Sequence, residues 1–394
     1  MTISAQALHA QIDHLAEYAR KYIAGCRAAA TDGTFIYMPD GEGCYQALWT
    51  RDFTYMVEYA GEMIPMDETK ACIEMLIAGQ SPEGVVPDRV SVDCRPIYIA
   101  GPESSPIGRY NLDNGAFLAI VANEYLKRLA PDDARAQFAA WAPSFELGLA
   151  CIPRDDNGLV WNDPAFPHSP YGFTDCIGKT GGLFMESLLT WRAYRCMSHW
   201  SAECGDAGLA ASYATAAAAI ESAIGTLWDD TEQLFVAATV DCRQVDVWAN
   251  AYAVVIGFPL SADQRDSIVR FFAEQYDTYA YAGQVRHLRK GEYWSRTLNP
   301  PRENLSTTRS PDSPSPDLDR YQNGAYWATP TGWVMETIAL RDPDLAARMF
   351  MEMMADFNQN GVCECINKGY RQLETYVVSA TNPLYSARKL FGGG

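Results

Sequence analysis

Helical periodicity recurs along the whole chain, and that repetition constrains the fold more than any other feature. Apolar residues return at three-and-four spacing in twelve segments: about 5–30, 51–64, 67–79, 113–129, 134–150, 181–198, 207–228, 246–257, 261–276, 324–340, 343–357 and 378–391. Strand-like alternation is hard to find. Boundary residues support several segments. Ser261, with Gln264 three residues on, has the form of a capping box. Pro131-Asp132-Asp133 and Asp342-Pro343-Asp344 place helix-starting chemistry directly after helix ends, and Gly257 with Pro259 stops another helix. The sequence predicts an all-α protein.

The helices alternate in character. Segment 207–228 is rich in alanine with few large apolar groups, so it buries one face. Segment 246–257 (Val247, Trp248, Ala249, Ala251, Tyr252 and onward to Ile256) is apolar nearly all round and must be buried on all sides. Even-numbered helices tend toward the second type. Alternating exposed and buried helices, a dozen in all, fit two concentric rings of six. One such barrel over 1–394 accounts for the whole length, and the chain lacks the self-similarity that short solenoid repeats would show. The stretch 285–320 is polar and rich in Pro and Ser, so it reads as an insertion, either disordered or a lid. The lid is favoured because Tyr293, Trp294 and Arg296 stand beside it as candidate ligand contacts.

Composition narrows the function. With 31 basic and 49 acidic residues the net charge is -18, which repels phosphate backbones and anionic membranes. Nucleic acid and membrane surfaces are therefore not expected partners. No stretch is apolar enough to span a bilayer, and the polar N-terminal residues Gln11, Asp13, His14, Glu17 and Arg20 do not form a secretory signal. The 11 cysteines include no CxxC pair, so free thiols in a cytoplasmic protein are expected. No metal or nucleotide motif is present, and no cofactor is expected. The oligomeric state is left open.

Polar and aromatic residues cluster at the starts of the even-numbered helices. The clusters are Trp49-Thr50-Arg51-Asp52, Tyr110 to Asn114, Tyr171 to Asp175 with Lys179 to Gly182, Asp246 to Asn250, Tyr321 to Trp327, and Tyr376 to Asn382 with Glu364 and Glu374 just before it. In a two-ring barrel those starts lie at one end, so six loops would converge on one pocket. Taken singly, Asp52 or Asp113 is equally well a helix cap. Aromatic faces beside carboxylates and amides suit a neutral, hydroxyl-rich ligand, a carbohydrate. Sugar chemistry without a metal points to paired carboxyls, one protonating the leaving oxygen and one acting as a base or nucleophile.

These residues resemble the six-hairpin (α/α)6-barrel glycoside hydrolases, most closely the inverting glucoamylase-type families 15 and 63, with echoes of trehalase and α-L-rhamnosidase catalytic domains. Trp49-Thr50-Arg51-Asp52 looks like the motif whose Arg and Asp hold hydroxyls of the first sugar. Gly84-Val85-Val86-Pro87-Asp88 and Asp113-Asn114-Gly115-Ala116 are similar to two further family loops. Phe173-Thr174-Asp175, with Lys179 and Gly181-Gly182-Leu183-Phe184, sits where the family places its general acid. Gly361 to Asn367, with Ser379-Ala380 downstream, resembles the segment carrying the general base. The family's tandem Trp-Glu-Glu is absent, and the gap from Glu364 to Ser379 is longer than in glucoamylases.

The resemblance implies an exo-acting, inverting glycosidase with Asp175 as acid and Glu364 as base, Glu374 being a rival base. Trp49, Arg51, Asp52, Asp113, Lys179, Asn323, Tyr326 and Trp327 are the candidate substrate-binding residues. Each has a structural alternative: Asp175 as a helix cap, Arg51 and Asp52 as each other's partners, and Glu364 in a buried ion pair. Glu186 and Glu336 lie inside their helices and read as buried partners of Arg or Lys. Two other classes stay open. A sugar epimerase of the same barrel needs pocket histidines, which the five scattered histidines do not promise; a non-catalytic carbohydrate-binding barrel would bind without turnover.

Overall fold

The computed structural model describes residues 3–104, 106–298 and 319–393. All twelve expected helices are present. They are α1 (Ala5–Gly25), α2 (Thr50–Ala60), α3 (Met66–Ala78), α4 (Asn114–Leu126), α5 (Pro131–Ala150), α6 (Phe184–Glu203), α7 (Ala207–Ala223), α8 (Val247–Val255), α9 (Ala262–Glu274), α10 (Thr331–Ala339), α11 (Pro343–Asn360) and α12 (Val377–Phe391). The caps act as their chemistry requires. Ser261 and Gln264 form a reciprocal capping box at α9, and Asp342 and Asp246 accept from backbone N–H groups that begin α11 and α8.

Six inner helices close a ring by their contacts: α2 packs on α4, α4 on α6, α6 on α8, α8 on α10, α10 on α12, and α12 back on α2. The others flank it, with α1 on α12, α3 and α5 on α4, α7 on α6, α9 on α10, and α11 on α10. Burial follows the expected alternation. Every residue of α8 from Val247 to Val254 is buried, whereas α7 buries only Ala210, Ala217, Ile220 and Ala223. One continuous apolar cluster runs from Leu8 to Ala387. Each large side chain withdrawn from water there contributes about 1.5–3 kcal/mol before entropy is subtracted.

Several helix boundaries differ from the sequence expectation by a turn or more, and two of them do so because short strands take up the residues. The first helix stops at Gly25 because Arg27–Ala29 pairs with Phe35–Tyr37, and α10 begins at Thr331 because Tyr326–Trp327 belongs to a five-stranded sheet. The strands are two or three residues long, too short to show alternation. Several lie in the segments that lead into inner helices: Ala47–Trp49 before α2, Gly181–Gly182 before α6, Tyr326–Trp327 before α10, and the hairpin Cys365–Asn367/Tyr370–Gln372 before α12. The expected insertion at 285–320 falls mostly on 299–318, outside the described residues. Its flank does not form a ligand wall: Trp294 is buried with its indole N–H donated to the Gln322 carbonyl, Arg296 pairs with Asp241, and the Tyr293 hydroxyl donates to Asp319.

Candidate active site

Asp175 and Glu364, 189 residues apart in sequence, line one cavity of about 350 Å³. Its described lining also includes Tyr45, Trp49, Arg51, Asp52, Arg89, Phe173, Tyr321, Trp327 and Tyr376. Asp175 ends a 3-10 turn, Gly172–Thr174, in the segment before α6. Its Oδ1 accepts from Gln322 Nε2 at 2.7 Å, and Gln322 Oε1 accepts in turn from the Cys176 N–H at 3.0 Å. This carboxyl does not cap a helix. Burial pushes its pKa up to about 6, against the opposing pull of the Arg51 charge.

Glu364 sits at the foot of the hairpin that precedes α12, its N–H donating to the Gln372 and Leu373 carbonyls. The apolar neighbours noted in the sequence, Val362, Cys363, Cys365 and Ile366, are all buried and make the carboxyl costly to hold there. Its Oε1 accepts from Tyr45 Oη at 3.0 Å and Tyr321 Oη at 3.4 Å, while Oε2 is buried without a hydrogen-bond partner. Burial raises its pKa well above the usual range, and the nearby Asp52 and Asp175 charges push the same way. The hairpin accounts for the long gap to Ser379. It leaves Glu374 exposed and away from the described cavity lining.

Arg51 and Asp52 open α2 and face the cavity. Arg51 is held chiefly by Asp88, which also accepts from Arg89 at 2.7 Å and from Asn111 Nδ2 at 2.9 Å. The Arg51–Asp52 contact is longer, at 3.9 Å. Asp52 accepts instead from Tyr376 Oη at 2.6 Å, and burial lifts its pKa to about 6. Trp49 lies under both the Arg51 and Arg89 guanidiniums, 5.0 and 4.6 Å from ring centre. Trp327 is wholly buried and meets Phe173 edge to face.

Four expected sugar ligands sit elsewhere. Asp113 lies behind the cavity, where its Oδ2 accepts the Gly172 N–H at 2.8 Å and anchors the turn carrying Asp175. It does not cap α4 with its side chain. Lys179 is buried between Glu186 at 3.7 Å and Asp246 at 3.5 Å. Asn323 Oδ1 accepts the Trp294 N–H, and Tyr326 packs with Cys363 and Ile366. Membership of a helix-start cluster does not by itself place a side chain in the site: the clusters before α2, α6, α10 and α12 each send some residues into the described lining, with Lys179, Asn323 and Tyr326 behind it, and those before α4 and α8 send none. Glu186 and Glu336 pair with Lys179 and Lys389, as expected of buried helix carboxylates.

Sequence reasoning missed Tyr45 and Arg89 as parts of this site, and it took in Asp88 and Gln322 only within longer motifs, without a role of their own. Asp40 was missed too. It is fully buried and accepts the N–H groups of Glu42, Cys44 and Tyr45, bending the loop that delivers Tyr45 to Glu364. The Asp-Gly-Glu-Gly run at 40–43 is a turn signal that could have located the bend but not its target.

No family model and no curated protein sequence matches the chain. Solved structures do. A GH63 mannosylglycerate hydrolase from Thermus thermophilus, in complex with Tris and D-glycerate, aligns over 94% of this chain and 99% of that one at 15% identity and TM-score 0.65. A rhamnosidase from Klebsiella oxytoca with rhamnose bound covers 97% of this chain and 64% of its own at 14% identity and TM-score 0.65. A glucoamylase from Saccharomycopsis fibuligera covers 99% and 96% at 13% identity and TM-score 0.57. The likeness spans nearly the whole chain, and this protein has the mainly helical fold that these glycosidases share.

Proposed function

We propose that the chain is a single (α/α)6-barrel domain acting as an exo-acting, inverting glycoside hydrolase on a small oligosaccharide or glycoside. The observation that carries this reading is the meeting of Asp175 and Glu364 in one buried, aromatic-lined cavity. The neighbours' glycosidase activity and the order of the two carboxyls along the chain support it.

In this mechanism Asp175 and Glu364, both raised by burial, share one proton, and the reactive form has it on Asp175 with Glu364 ionised; the family-like positions of the two carboxyls, not the order of their pKa values, make Asp175 the acid. Asp175 gives that proton to the glycosidic oxygen as the bond breaks. Glu364, with Oε1 fixed by two tyrosine hydroxyls, has Oε2 left to take a proton from the attacking water. Asp52 and Arg51 bind hydroxyls of the terminal sugar, and Trp49 and Trp327 cover its C–H faces. Inversion requires the two carboxyls to stand about 6.5–9.5 Å apart with the water between them. An epimerase is disfavoured because no described lining residue is a histidine: His168 and His287 are packed against Tyr110 and Trp248 instead.

The test is a hydrolysis screen over neutral disaccharides and aryl glycosides of both anomers. The wild type is expected to release sugar from at least one, and Asp175→Asn and Glu364→Gln to lower kcat on natural-type glycosides by about 10²–10⁴-fold. Wild-type turnover in both variants, or binding without turnover by the unmodified protein, would overturn the reading.

A further inference from the structure

We infer that the outer half of this cavity receives a neutral leaving group with an apolar face, and discriminates against one that carries a carboxylate. The inference rests on the hydrolase reading and names the substrate class at the same site.

The argument begins with strand register. Trp49 pairs with Arg89, and Arg89 with Ile97, across three short antiparallel strands. Paired residues point to the same side of a sheet and neighbours along a strand to opposite sides. One face therefore presents Ala47, Trp49, Arg89, Ser91 and Ile97, and all five line the cavity. Leu48 and Val90, on the other face, are buried in the main core. The sheet is thus a wall of the site, and its first strand runs from exposed Gln46 at the rim to buried Arg51 and Asp52 at the floor. A terminal sugar that reaches the two carboxyls occupies the floor, so the group leaving with the glycosidic oxygen lies along this wall toward the rim. There it meets Ile97, Pro102 and Ile107.

The wall offers no free positive charge among its described residues. Arg89 donates through Nη1 to Asp88 and the Ile99 carbonyl, at 2.7 and 2.9 Å, and through Nη2 to the Gly101 carbonyl at 2.6 Å. Arg51 is held by the same Asp88. The remaining charged side chains of the described lining are the carboxyls Asp52, Asp175 and Glu364. A carboxylate entering here would lose its hydration, find both guanidiniums already engaged by Asp88 and, for Arg89, by two backbone carbonyls, and meet like charge on Glu364 and on Asp52 where these are ionised. An apolar face loses nothing of that kind and gains contact with isoleucine and proline.

The experiment uses the full chain and the sugar that it hydrolyses as a p-nitrophenyl glycoside. Two further glycosides of that sugar are compared, one with 4-hydroxybenzoate and one with its methyl ester as leaving group. The ester should show at least about tenfold higher kcat/KM, and Ile97→Lys should shrink that ratio by supplying a cation to the wall. Equal or faster cleavage of the free acid by the wild type overturns this inference and leaves the hydrolase reading standing. An unchanged ratio in a folded Ile97→Lys variant removes the wall as its cause and overturns it likewise. If no glycoside of any kind is cleaved, the hydrolase reading itself falls and this inference with it.

Discussion

The side chain of Arg51 lies directly over the α-carbon of Gly172, so close that a Cβ at that glycine would overlap Arg51 Cδ and Nε. Only a residue without a side chain lets the guanidinium pass between Asp88 and the turn that carries Asp175. Gly172→Ala is therefore expected to displace Arg51, the turn, or both. A misplacement of about 1 Å in such a site costs roughly 100-fold in rate. Steady-state kinetics should show that loss in kcat/KM with the helical circular dichroism retained.

Glu364 and Glu374 are separable by substitution. Glu374 is exposed and outside the described lining, so Glu374→Gln should keep kcat within about twofold of the wild type. Loss of activity in Glu374→Gln with retention in Glu364→Gln would transfer the base to Glu374.

The pH dependence follows from the shifted carboxyls. Asp175 must be protonated to act as an acid, so kcat/KM should fall on the alkaline side, above the upper apparent pKa of two carboxyls that burial raises. Its interaction with Glu364 makes the two limbs of the profile properties of the pair. Asp175→Asn, assayed on a dinitrophenyl glycoside whose leaving group needs no proton, should lose the alkaline limb. A limb that persists unchanged in that variant assigns it to another group.

Asp113 gives a stability prediction of definite sign. Burial raises its pKa from 3.8 to about 7. The folded state then binds its proton more tightly than the unfolded chain, and the stabilisation present below pH 4 is lost as pH rises through 7. Asp113→Asn keeps an oxygen for the Gly172 N–H while removing the buried charge. Its Tm should exceed the wild type's by about 2–4 °C at pH 8 and match it near pH 4, readable by thermal scans at the two values.

The sequence made the helices legible through helical spacing of apolar residues and, in places, through runs that are apolar nearly all round, as in Val247–Val254. The short strands were not, since Trp49 meets Arg89 only through pairing of segments about 40 residues apart, and the local Arg89–Ile97 pair lies in strands too short to show alternation. The same limit governs the site. Trp49, Arg51 and Asp52 were visible as one contiguous motif, and Asp175 and Glu364 through their family-like positions. The Asp113–Gly172 and Tyr45–Glu364 contacts join residues 59 and 319 apart and leave no local trace. Charged and aromatic composition shows that a residue belongs near the site; only packing separates the wall from the layer behind it.

The most direct measurement of the central claim is a time-resolved proton NMR assay of the first sugar released from a cleaved glycoside. Two carboxyls acting through a water in a single displacement predict that the first anomeric signal has the configuration opposite to the substrate's, followed by slow mutarotation. A first-formed anomer of retained configuration would contradict the account and make one of the two carboxyls a nucleophile.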